Sequence, residues 1–322
     1  MKRAFRLSDI VFNKNSVVSV GLFDGVHRGH RVVIQDVVHR ARVREGRSVI
    51  VTFDPHPREV LGKDTQPFKI LSTVDERADF CGDLGIDLFF VLSFDYEFSR
   101  LSSHFFFQKY LIEGIGVSEV VEGYDHHFGR DREGGAEALL RLGKEFDFTF
   151  VALKPVTVDG GIVSSSRIRS LIADGEVERS AYLLGRPYAL AGTVVPGDGR
   201  GKTLGFPTAN IDPENSRKLL PKDGIYVVQV DVEGRREFGM TSIGLRPTFH
   251  ESGDRTVEVN VLNFDGDLYG RQIRIAFLKR LREERKFRSV DELVKQMTLD
   301  REASQRYIEE LERTSGRTAL YS

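Results

Sequence analysis

The sequence has no pair of cysteines, almost no net charge and no long apolar run. Its single cysteine, Cys81, excludes an intrachain disulfide and is typical of a reducing compartment, so we expect a cytoplasmic protein. The 47 Lys and Arg residues balance 48 Asp and Glu residues, which gives a formal net charge of -1. Because a general nucleic-acid binder carries a basic excess, we expect no nucleic-acid partner, and any anion site has to be local.

Membrane and secretion signals are equally scarce. No stretch of about 18 apolar residues could span a membrane, so we expect no membrane partner. The start, "MKRAFRLSDIVFNKNS", is basic, but charged and polar residues interrupt it before the core of a signal peptide could form. The chain of 322 residues has 40% hydrophobic residues, enough for real cores, and its length favours two domains. The sequence leaves the oligomeric state open.

The first half of the chain alternates strand and helix patterns. Helical patterns separate five strand-like segments, "SVVSVGLF", "SVIVTF", "IDLFFVLSF", "VSEVVEGY" and "FTFVALKP". In one helical pattern Ile34, Val37 and Ala41 share a face, and in the next Thr73 and Glu76 form a capping box. This alternation predicts an α/β domain in which helices cover both faces of a parallel sheet.

The second half changes character after Pro187. The strand-like segments "ALAGTVV", "GIYVVQVDV", "EFGMTSIG", "TVEVNVLNF" and "QIRIAFL" follow one another with glycine-rich turns and without intervening helices. This pattern predicts an antiparallel barrel, which is followed by a final helix that starts at Ser289. We therefore predict a first domain over residues 1–186 and a second over residues 187–322.

The most informative stretch of the first half is "GLFDGVHRGHRVV", at a predicted strand-to-helix junction. Open parallel sheets bind ligands at such junctions, and the free N–H groups of a helix N-terminus favour a phosphate. His27 and His30 would add donors in the first turn, and Gly25 would permit close approach of the backbone. Two solvated histidines remain an alternative, and a zinc site ranks lower because no cysteine or carboxylate cluster lies nearby.

A second glycine-rich stretch, "PGDGRGKTLGFPTAN", contains the letters "GKT" of a P-loop. It is not one, because Pro196 occupies the position of the first glycine and Pro207 blocks the helix that a P-loop opens. The residues predict a glycine-rich loop between extended segments, which is either a flexible surface loop or a phosphate-binding loop. Thr208 and Asn210 are two apart in an extended segment and so point the same way.

These motifs have a family resemblance when they are taken in order. The stretches "FDGVHRGH", "VTFDPHPREVL", "GYDHHFGRDREGG" and "VSSSRIRSLIADGEVERSAYLLGRPY" resemble the FMN adenylyltransferase module of bacterial bifunctional FAD synthetases. The stretches "GDGRGKTLGFPTANI", "GIYVVQV", "IGLRPTF", "VEVNVLNFDGDLYG" and "LREERKF" resemble the riboflavin kinase module of the same family. The resemblance covers nearly the whole chain. It implies a Rossmann-like nucleotidyltransferase domain with a parallel sheet, then a six-stranded antiparallel β-barrel with a C-terminal helix.

In the first module, the resemblance implies an ATP site that includes a catalytic clamp, Arg169. The other ATP contacts that it implies are Gly21, Phe23, Gly25, His27, His30, Asp125, Ser165 and Ser166, of which the two histidines are also catalytic. The "DHH" after Tyr124 departs from the phenylalanine or asparagine of many members, and Ser166 replaces a more usual threonine. The alternative for the serines is helix N-capping.

The same resemblance places "FDPHP" in the wall of the flavin or adenine pocket, through Asp54, His56 and Pro57. Asp54 and His56 could equally satisfy loop backbone groups.

In the second module, the resemblance makes Gly197, Gly201 and Lys202 part of the ATP-binding loop. Thr208 and Asn210 would hold Mg²⁺ and the ATP phosphates, for which hydroxyl and amide oxygens are suitable hard ligands. Lys202 stands where other members often have arginine, and it could also be simply solvated.

Glu258 alternates with valines in "TVEVNVLNF", and from the residues alone a wet strand face would explain it. The resemblance instead makes Glu258 the general base for the riboflavin 5′-hydroxyl, with Arg282 and Phe287 as flavin contacts.

The implied function is a bifunctional enzyme of flavin cofactor biosynthesis. The barrel would phosphorylate riboflavin with MgATP to give FMN, and the α/β domain would transfer AMP from a second ATP to FMN, giving FAD and pyrophosphate. Two alternatives stay open at this point. One is a riboflavin kinase whose adenylyltransferase half is weakened around "YDHHFG", and the other is a non-catalytic flavin-binding regulatory protein on the same scaffold.

Overall fold

The computed structural model describes residues 1–62, 67–123, 135–197, 201, 204–245, 255–262, 264 and 266–315. The chain forms two compact units, Met1–Ser165 and Ser166–Ser322. The domain boundary after residue 186 stays a prediction.

The first unit contains a six-stranded sheet in which all neighbouring strands are parallel. The strand order is β1-β4-β3-β2-β5-β6. The strands are β1 (Lys2–Ala4), β2 (Ser16–Val20), β3 (Arg47–Asp54), β4 (Leu88–Ser93), β5 (Val117–Gly123) and β6 (Thr149–Leu153). The predicted parallel sheet is confirmed. Leaving out the short edge strand β1, the order is that of the first five strands of a doubly wound fold, and its reversal falls between β2 and β5.

The helices of the first unit connect these strands. They are α1 (Arg28–Val43), α2 (Pro57–Leu61), α3 (Val74–Asp83), α4 (Tyr96–Ser99), α5 (Ser103–Phe106), continued by a π-helical segment (Phe107–Ile115), and α6 (Ala136–Phe146). A short 3₁₀ turn (Leu7–Asp9) follows β1, and a small hairpin of β7 (Thr157–Val158) and β8 (Gly161–Ile162) follows β6. The predicted capping box of Thr73 and Glu76 begins α3. As predicted, the face of α1 that carries Ile34, Val37 and Ala41 is buried.

Two apolar cores lie on the two faces of this sheet, because successive strand residues point to opposite faces. Along β3, Val49 and Val51 belong to one core and Ile50 belongs to the other. Helix α1 packs on the Ile50 side, whereas the π-helical segment contributes Phe107 and Leu111 to the opposite side. The sheet is therefore covered on both faces, and functional groups can gather only along the ends of its strands.

The second unit is built on a closed antiparallel barrel of six strands in the order β10-β13-β12-β11-β14-β9, which confirms the predicted barrel. The strands are β9 (Tyr188–Val195), β10 (Ala209–Pro213), β11 (Gly224–Val232), β12 (Arg235–Leu245), β13 (Arg255–Val261) and β14 (Gln272–Arg282). Helices α7 (Ser165–Ala173) and α8 (Val177–Leu184) precede the barrel, and α9 (Val290–Ser315) follows it.

Alternate side chains of strand β13 point to the inside and to the outside of the barrel. Val257 and Val259 are buried, while Glu258 and Asn260 alternate with them and point to the other side. Within this unit, helix α9 packs against a small apolar cluster. Its Val294, Met297 and Ile308 contact Phe206, Met240 and Leu262. No helix in the described part of the chain is both long enough and apolar enough to cross a membrane.

Candidate active sites

The first candidate site is the loop between β2 and α1, beside the reversal of strand order. The loop is unusually constrained, because Phe23 (φ 49°) and Val26 (φ 37°) adopt the left-handed region on either side of Gly25 (φ 82°). Side chains other than glycine are rare in that region, and such strain persists only when the surrounding structure enforces it. Phe23 is 3% exposed and packs into the core, so the loop is anchored from below.

Buried polar groups enforce this conformation. Asp24 is 2% exposed, and its carboxylate accepts from the backbone N–H groups of Leu71 and Ser72 at 2.8–3.0 Å and from the Ser72 hydroxyl at 3.0 Å. The Ser72 oxygen in turn accepts from Gly25 N at 2.6 Å. The loop is therefore latched to the segment that leads into α3.

A buried arginine secures the first half of the same loop. Arg77 is 4% exposed, and its Nη1 donates to the Leu22 carbonyl and to the Thr52 hydroxyl, both at 2.8 Å. Its Nη2 lies 3.8 Å from Asp54 Oδ1 at the end of β3. One guanidinium thus ties the ends of β2 and β3 to helix α3.

The two histidines are fixed by the start of α1. His27 is the N-cap, and its Nδ1 accepts from His30 N at 3.2 Å. Because Nδ1 is an acceptor here, the proton of the neutral His27 ring is on Nε2. The two rings stack with centroids 3.6 Å apart, and Phe23 contacts His30 edge-on at 5.2 Å. The stretch therefore presents two imidazoles at the positive end of a 16-residue helix.

The buried carboxyl of Glu122 bridges β2 and β5, the two strands between which the strand order reverses. The pairing of β2 with β5 ends at Val18 and Val120, and beyond it Glu122 Oε1 accepts from Val20 N at 2.6 Å. Burial raises the pKa of Glu122 well above its ordinary value, although hydrogen bonds from Val20 N and the Ser19 hydroxyl oppose the shift. Glu122 therefore replaces a missing backbone partner where the strands separate.

The second candidate site is a cavity of about 270 Å³ on the barrel unit. It combines apolar walls with oxygen-bearing side chains from segments far apart in sequence. Its lining includes Gly201, Thr208, Met240, Ser242, Glu258, Asn260, Arg282, Glu284, Phe287, Met297 and Asp300. This mixture of an apolar wall and a few converging polar groups is typical of a small-molecule site.

The register of the barrel brings three polar residues together, two of which, Ser242 and Glu258, line this cavity. Asn210 on β10 is paired with Glu258 on β13, and Glu258 is paired with Ser242 on β12. The Thr208 hydroxyl donates to Glu258 Oε2 at 3.4 Å. A hydroxyl, an amide and a carboxylate therefore stand side by side on one face of the sheet.

The glycine-rich segment comes close to this group. A Cβ on Gly201 would lie 2.3 Å from the Phe206 carbonyl and 2.9 Å from Thr208 Oγ1, and a Cβ on Gly197 would collide with the Asn210 amide at 1.8 Å. Only glycine permits such approach, so these two positions are set by the Thr208–Asn210 segment that they enclose.

The far wall of the cavity is held by helix α9. Asp300 is 6% exposed and accepts from Arg282 Nε at 3.0 Å and from Arg282 Nη2 at 2.7 Å. Arg301, the next residue, donates to the Gly205 carbonyl at 3.2 Å and covers the Phe206 ring at 4.0 Å. Two neighbouring residues of α9 thereby fix both the end of β14 and the glycine-rich segment.

A second carboxyl faces the same cavity. Glu284 packs so closely over Gly244 that a Cβ on Gly244 would lie 2.0 Å from its Oε2. Burial raises the pKa of Glu284, and the nearby carboxylates of Asp223 and Glu258 add to the rise.

Comparison with known proteins finds two families, one in each half of the chain. The FAD synthetase family matches residues 9–167, and the riboflavin kinase family matches residues 184–308. The bifunctional riboflavin kinase/FMN adenylyltransferase of Listeria monocytogenes is 37% identical over 92% of this chain and 94% of its own length. That of Bacillus subtilis is 36% identical over 92% of this chain and 93% of its own length.

The chain belongs to the bifunctional riboflavin kinase/FMN adenylyltransferase family.

A solved structure also matches almost the whole chain. The macrolide-efflux protein from Streptococcus pneumoniae shares 34% sequence identity, with a TM-score of 0.86 over 94% of this chain and 98% of that one.

The structure brings several of the residues predicted from the family resemblance together. Gly21, Phe23, Gly25, His27 and His30 form one constrained loop and helix start. Thr208, Glu258, Gly201, Arg282 and Phe287 all line the barrel cavity. Asn210 is paired with Glu258 on the neighbouring strand.

Other predicted residues have contacts of a different kind. The Ser165 hydroxyl donates to the Asp24 carbonyl at 2.9 Å, which places Ser165 beside the first loop. Ser166 and Arg169 lie on α7, in the part of the chain assigned to the second unit. Asp125 and Lys202 lie outside the described residues.

The "FDPHP" residues serve the local backbone. His56 is the N-cap of α2, where its Nδ1 accepts from Arg58 N at 3.0 Å, and it stacks on Phe68. Pro57 is the first residue of that helix, a position where the missing N–H of proline costs nothing. Their role in flavin binding stays a prediction.

Sequence reasoning overlooked Asp24, Ser72 and Arg77 in the first site. It also overlooked Asn260 and Glu284 in the second. The available signals were weak: Asp24 lies inside the family motif, and Asn260 lies two residues after Glu258, but a polar residue on an alternating strand is ordinarily solvated.

Proposed function

We infer that this chain is a bifunctional enzyme that makes FMN and then FAD. The barrel unit phosphorylates riboflavin with ATP, and the α/β unit transfers AMP from ATP to FMN with release of pyrophosphate. The observation that carries this function is that both families match, one on each unit, while relatives named for both activities align over about nine tenths of the chain.

For the kinase reaction, we propose Glu258 as the general base. Its carboxylate lines the cavity and lies 3.4 Å from the Thr208 hydroxyl, which would face the ATP phosphates. A base in that place accepts the proton of the riboflavin 5′-hydroxyl as the oxygen attacks the terminal phosphorus of ATP, and the bond from that phosphorus to the β-phosphate oxygen breaks to release ADP. Thr208 and Asn210 orient the phosphates, so that positioning supplies much of the catalysis.

The donor atoms beside Glu258 fit Mg²⁺, which we propose to enter with ATP. Thr208 Oγ1 and the Asn210 side-chain oxygen are hard ligands of the kind that Mg²⁺ takes from a protein when phosphates and waters supply the rest. The described residues hold no cluster of three or more His, Cys, Asp or Glu side chains suited to a metal. When bound, Mg²⁺ would neutralise charge on the phosphate oxygens.

For the adenylyl transfer, we propose that His27 and His30 contact the ATP phosphates. Their rings stand at the N-terminus of α1, where backbone N–H groups and the helix dipole favour an anion. The charge that builds up as the FMN phosphate attacks the α-phosphorus is stabilised by these donors, and pyrophosphate leaves without a covalent enzyme intermediate. Ser165, whose hydroxyl donates to the Asp24 carbonyl, is proposed to belong to this site, and Ser166 and Arg169 stay proposed ATP contacts.

We also retain four proposals from the sequence. Asp54, His56 and Pro57 would border the flavin or adenine in the first site, and Arg282 and Phe287 would contact flavin in the second. The first domain would extend to residue 186, so that it includes α7 and α8. The sequence has one cysteine, Cys81, which is buried, and we keep the proposal of a cytoplasmic enzyme.

The test is to separate the products of two incubations by chromatography, one with riboflavin and MgATP and one with FMN and MgATP. We expect FMN and FAD from the first and FAD from the second. FMN without FAD would leave only the kinase. Bound flavin with no product in either mixture would favour a non-catalytic flavin-binding protein.

A further inference from the structure

One side-chain amide in the barrel cavity, that of Asn260, makes a hydrogen bond through its nitrogen but not through its oxygen among the described residues. Asn260 is 5% exposed and lies on β13 two residues after Glu258, so both side chains point to the same face of the strand. It lines the same cavity as Glu258 and Thr208.

The amide nitrogen of Asn260 holds the residue before Thr208. Nδ2 donates to the Pro207 carbonyl at 2.6 Å. Because a backbone carbonyl can only accept, the atom that faces it has to be the NH₂ group. The peptide that joins Pro207 to Thr208 is planar, so fixing this carbonyl also fixes the direction in which the Thr208 backbone continues.

This short segment has few other ways of being held. Phe206 N donates to the Gly201 carbonyl at 2.9 Å on one side, and the β10 ladder begins at Ala209 on the other. Between them, Pro207 has no N–H. The Thr208 hydroxyl is 3.4 Å from Glu258, a long contact that leaves the oxygen available for a ligand. Among the described hydrogen bonds of residues 206–208, the one from Asn260 to the Pro207 carbonyl is therefore the shortest.

The other end of the amide favours a functional reason for this residue. Asn260 Oδ1 is buried and has no hydrogen-bond partner among the described residues. Leaving a buried acceptor without a partner carries a free-energy cost that an apolar side chain of the same size would avoid. The hydrogen bond from Asn260 Nδ2 to the Pro207 carbonyl offsets this cost.

We propose that Asn260 is a positioning residue of the phosphoryl-transfer site, which holds the Pro207 carbonyl and so sets Thr208 and Asn210 against Glu258. The inference rests on the proposed kinase function. It predicts an effect on the use of MgATP and on turnover, with little effect on flavin binding.

The first test replaces the amide by an apolar side chain of similar size, Asn260→Leu. We expect kcat/KM for MgATP in riboflavin phosphorylation to fall by about 10–100-fold, since small misplacements at a reacting centre have effects of that order. The Kd of riboflavin, measured from flavin fluorescence, should change by less than about threefold, because the substitution keeps the apolar wall. Weaker flavin binding with unchanged kcat and unchanged KM for MgATP would overturn the proposal.

The second variant, Asn260→Asp, is nearly isosteric and tests directly whether a donor to the Pro207 carbonyl is needed. Its carboxyl can donate to Pro207 only when it is protonated, so its phosphorylation rate relative to the wild-type enzyme should fall as pH rises. If Asn260 acted only through the charge environment of Glu258, a new carboxylate would raise the pKa of that base and the ratio would instead rise with pH. A ratio that stays flat or rises would overturn the proposal, even if Asn260→Leu failed to fold.

The controls separate this inference from the function on which it rests. Gln229→Glu makes the same kind of amide-to-carboxyl change on β11, away from the cavity lining, and should leave phosphorylation unchanged. FAD formation from FMN should be unchanged in all three variants. If the proposed function is wrong, the wild-type protein makes no FMN; if only this inference is wrong, the wild-type protein makes FMN and Asn260→Leu makes it equally well.

Discussion

The two candidate sites of this chain, both proposed to bind the phosphates of ATP, are built in different ways. In the α/β unit the candidate site is a strained loop and a helix start, held by the buried side chains of Asp24, Ser72 and Arg77. In the barrel unit the groups are side chains on paired strands, placed by register and enclosed by helix α9. The first site therefore depends on backbone conformation, and the second depends on individual side chains.

This difference teaches where each site should be sensitive. In the barrel, removal of one chemical group should abolish one reaction without loosening the fold. In the α/β unit, positions away from the ligand should affect stability and activity together, because the polar network and the loop form one structure.

The largest effect is expected from Glu258→Gln, which removes the proposed base and keeps the shape of the side chain. Riboflavin phosphorylation should fall by about 10²–10⁴-fold, the usual contribution of a positioned general base. The rate of FMN formation at saturating substrate measures it, with Glu237→Gln on β12 as the matched control. A fall of less than tenfold would remove Glu258 from the role of base.

The next largest effect is expected from His30→Ala in the other unit. FAD formation from FMN should fall by about 10²–10³-fold, as when one preorganised donor to a developing charge is removed. His39 on the same helix is exposed and distant from its start, so His39→Ala should have no effect. Equal activity of the two variants would contradict the assignment of the ATP phosphates to the start of α1.

Ser72→Ala tests the latch behind the first loop. The hydroxyl both donates to Asp24 and accepts from Gly25, so its loss should lower the free energy of unfolding by about 1–3 kcal/mol. Urea unfolding followed by circular dichroism measures this, and FAD formation should fall in the same variant. Ser93→Ala, at the exposed end of β4, is the control. Reduced stability with full adenylyl transfer would show that the latch does not position the loop.

The smallest effect is expected from Glu122→Gln, and it should depend on pH. Burial raises the pKa of Glu122, so its contribution to stability is complete below its ordinary pKa and is lost as pH rises through the higher folded value. Glutamine cannot ionise, so the melting temperature of the variant should exceed that of the wild-type protein increasingly as pH rises from 4 to about 8. A constant difference between the two proteins would mean that folding does not raise the pKa of Glu122.

Much of the fold was predictable because its signals are local. Alternating strands and helices, the capping box at Thr73 and the turn-rich second half identify the parallel sheet and the barrel. Strand β1 was missed because only Ala4 of its three residues is buried, which leaves no alternation to read. Its place at the sheet edge comes from parallel pairing with β4, more than 80 residues further along the chain.

The candidate sites were predictable only in part. His27 and His30 are recognisable because one helix turn brings them together, and Thr208 and Asn210 because a strand does. The partners of Asp24 lie 47 and 48 residues away, and Asn260 meets Pro207 across 53 residues. Contacts of that kind arise from tertiary packing, and no periodicity in the sequence records them.

The central claim is that two separate sites each carry one reaction. The most direct measurement gives FMN with MgATP to Glu258→Gln, and riboflavin with MgATP to His30→Ala, and follows the products by chromatography. The account predicts FAD from the first variant and FMN from the second, both at the rate of the wild-type enzyme. Loss of both activities in either folded variant would contradict it.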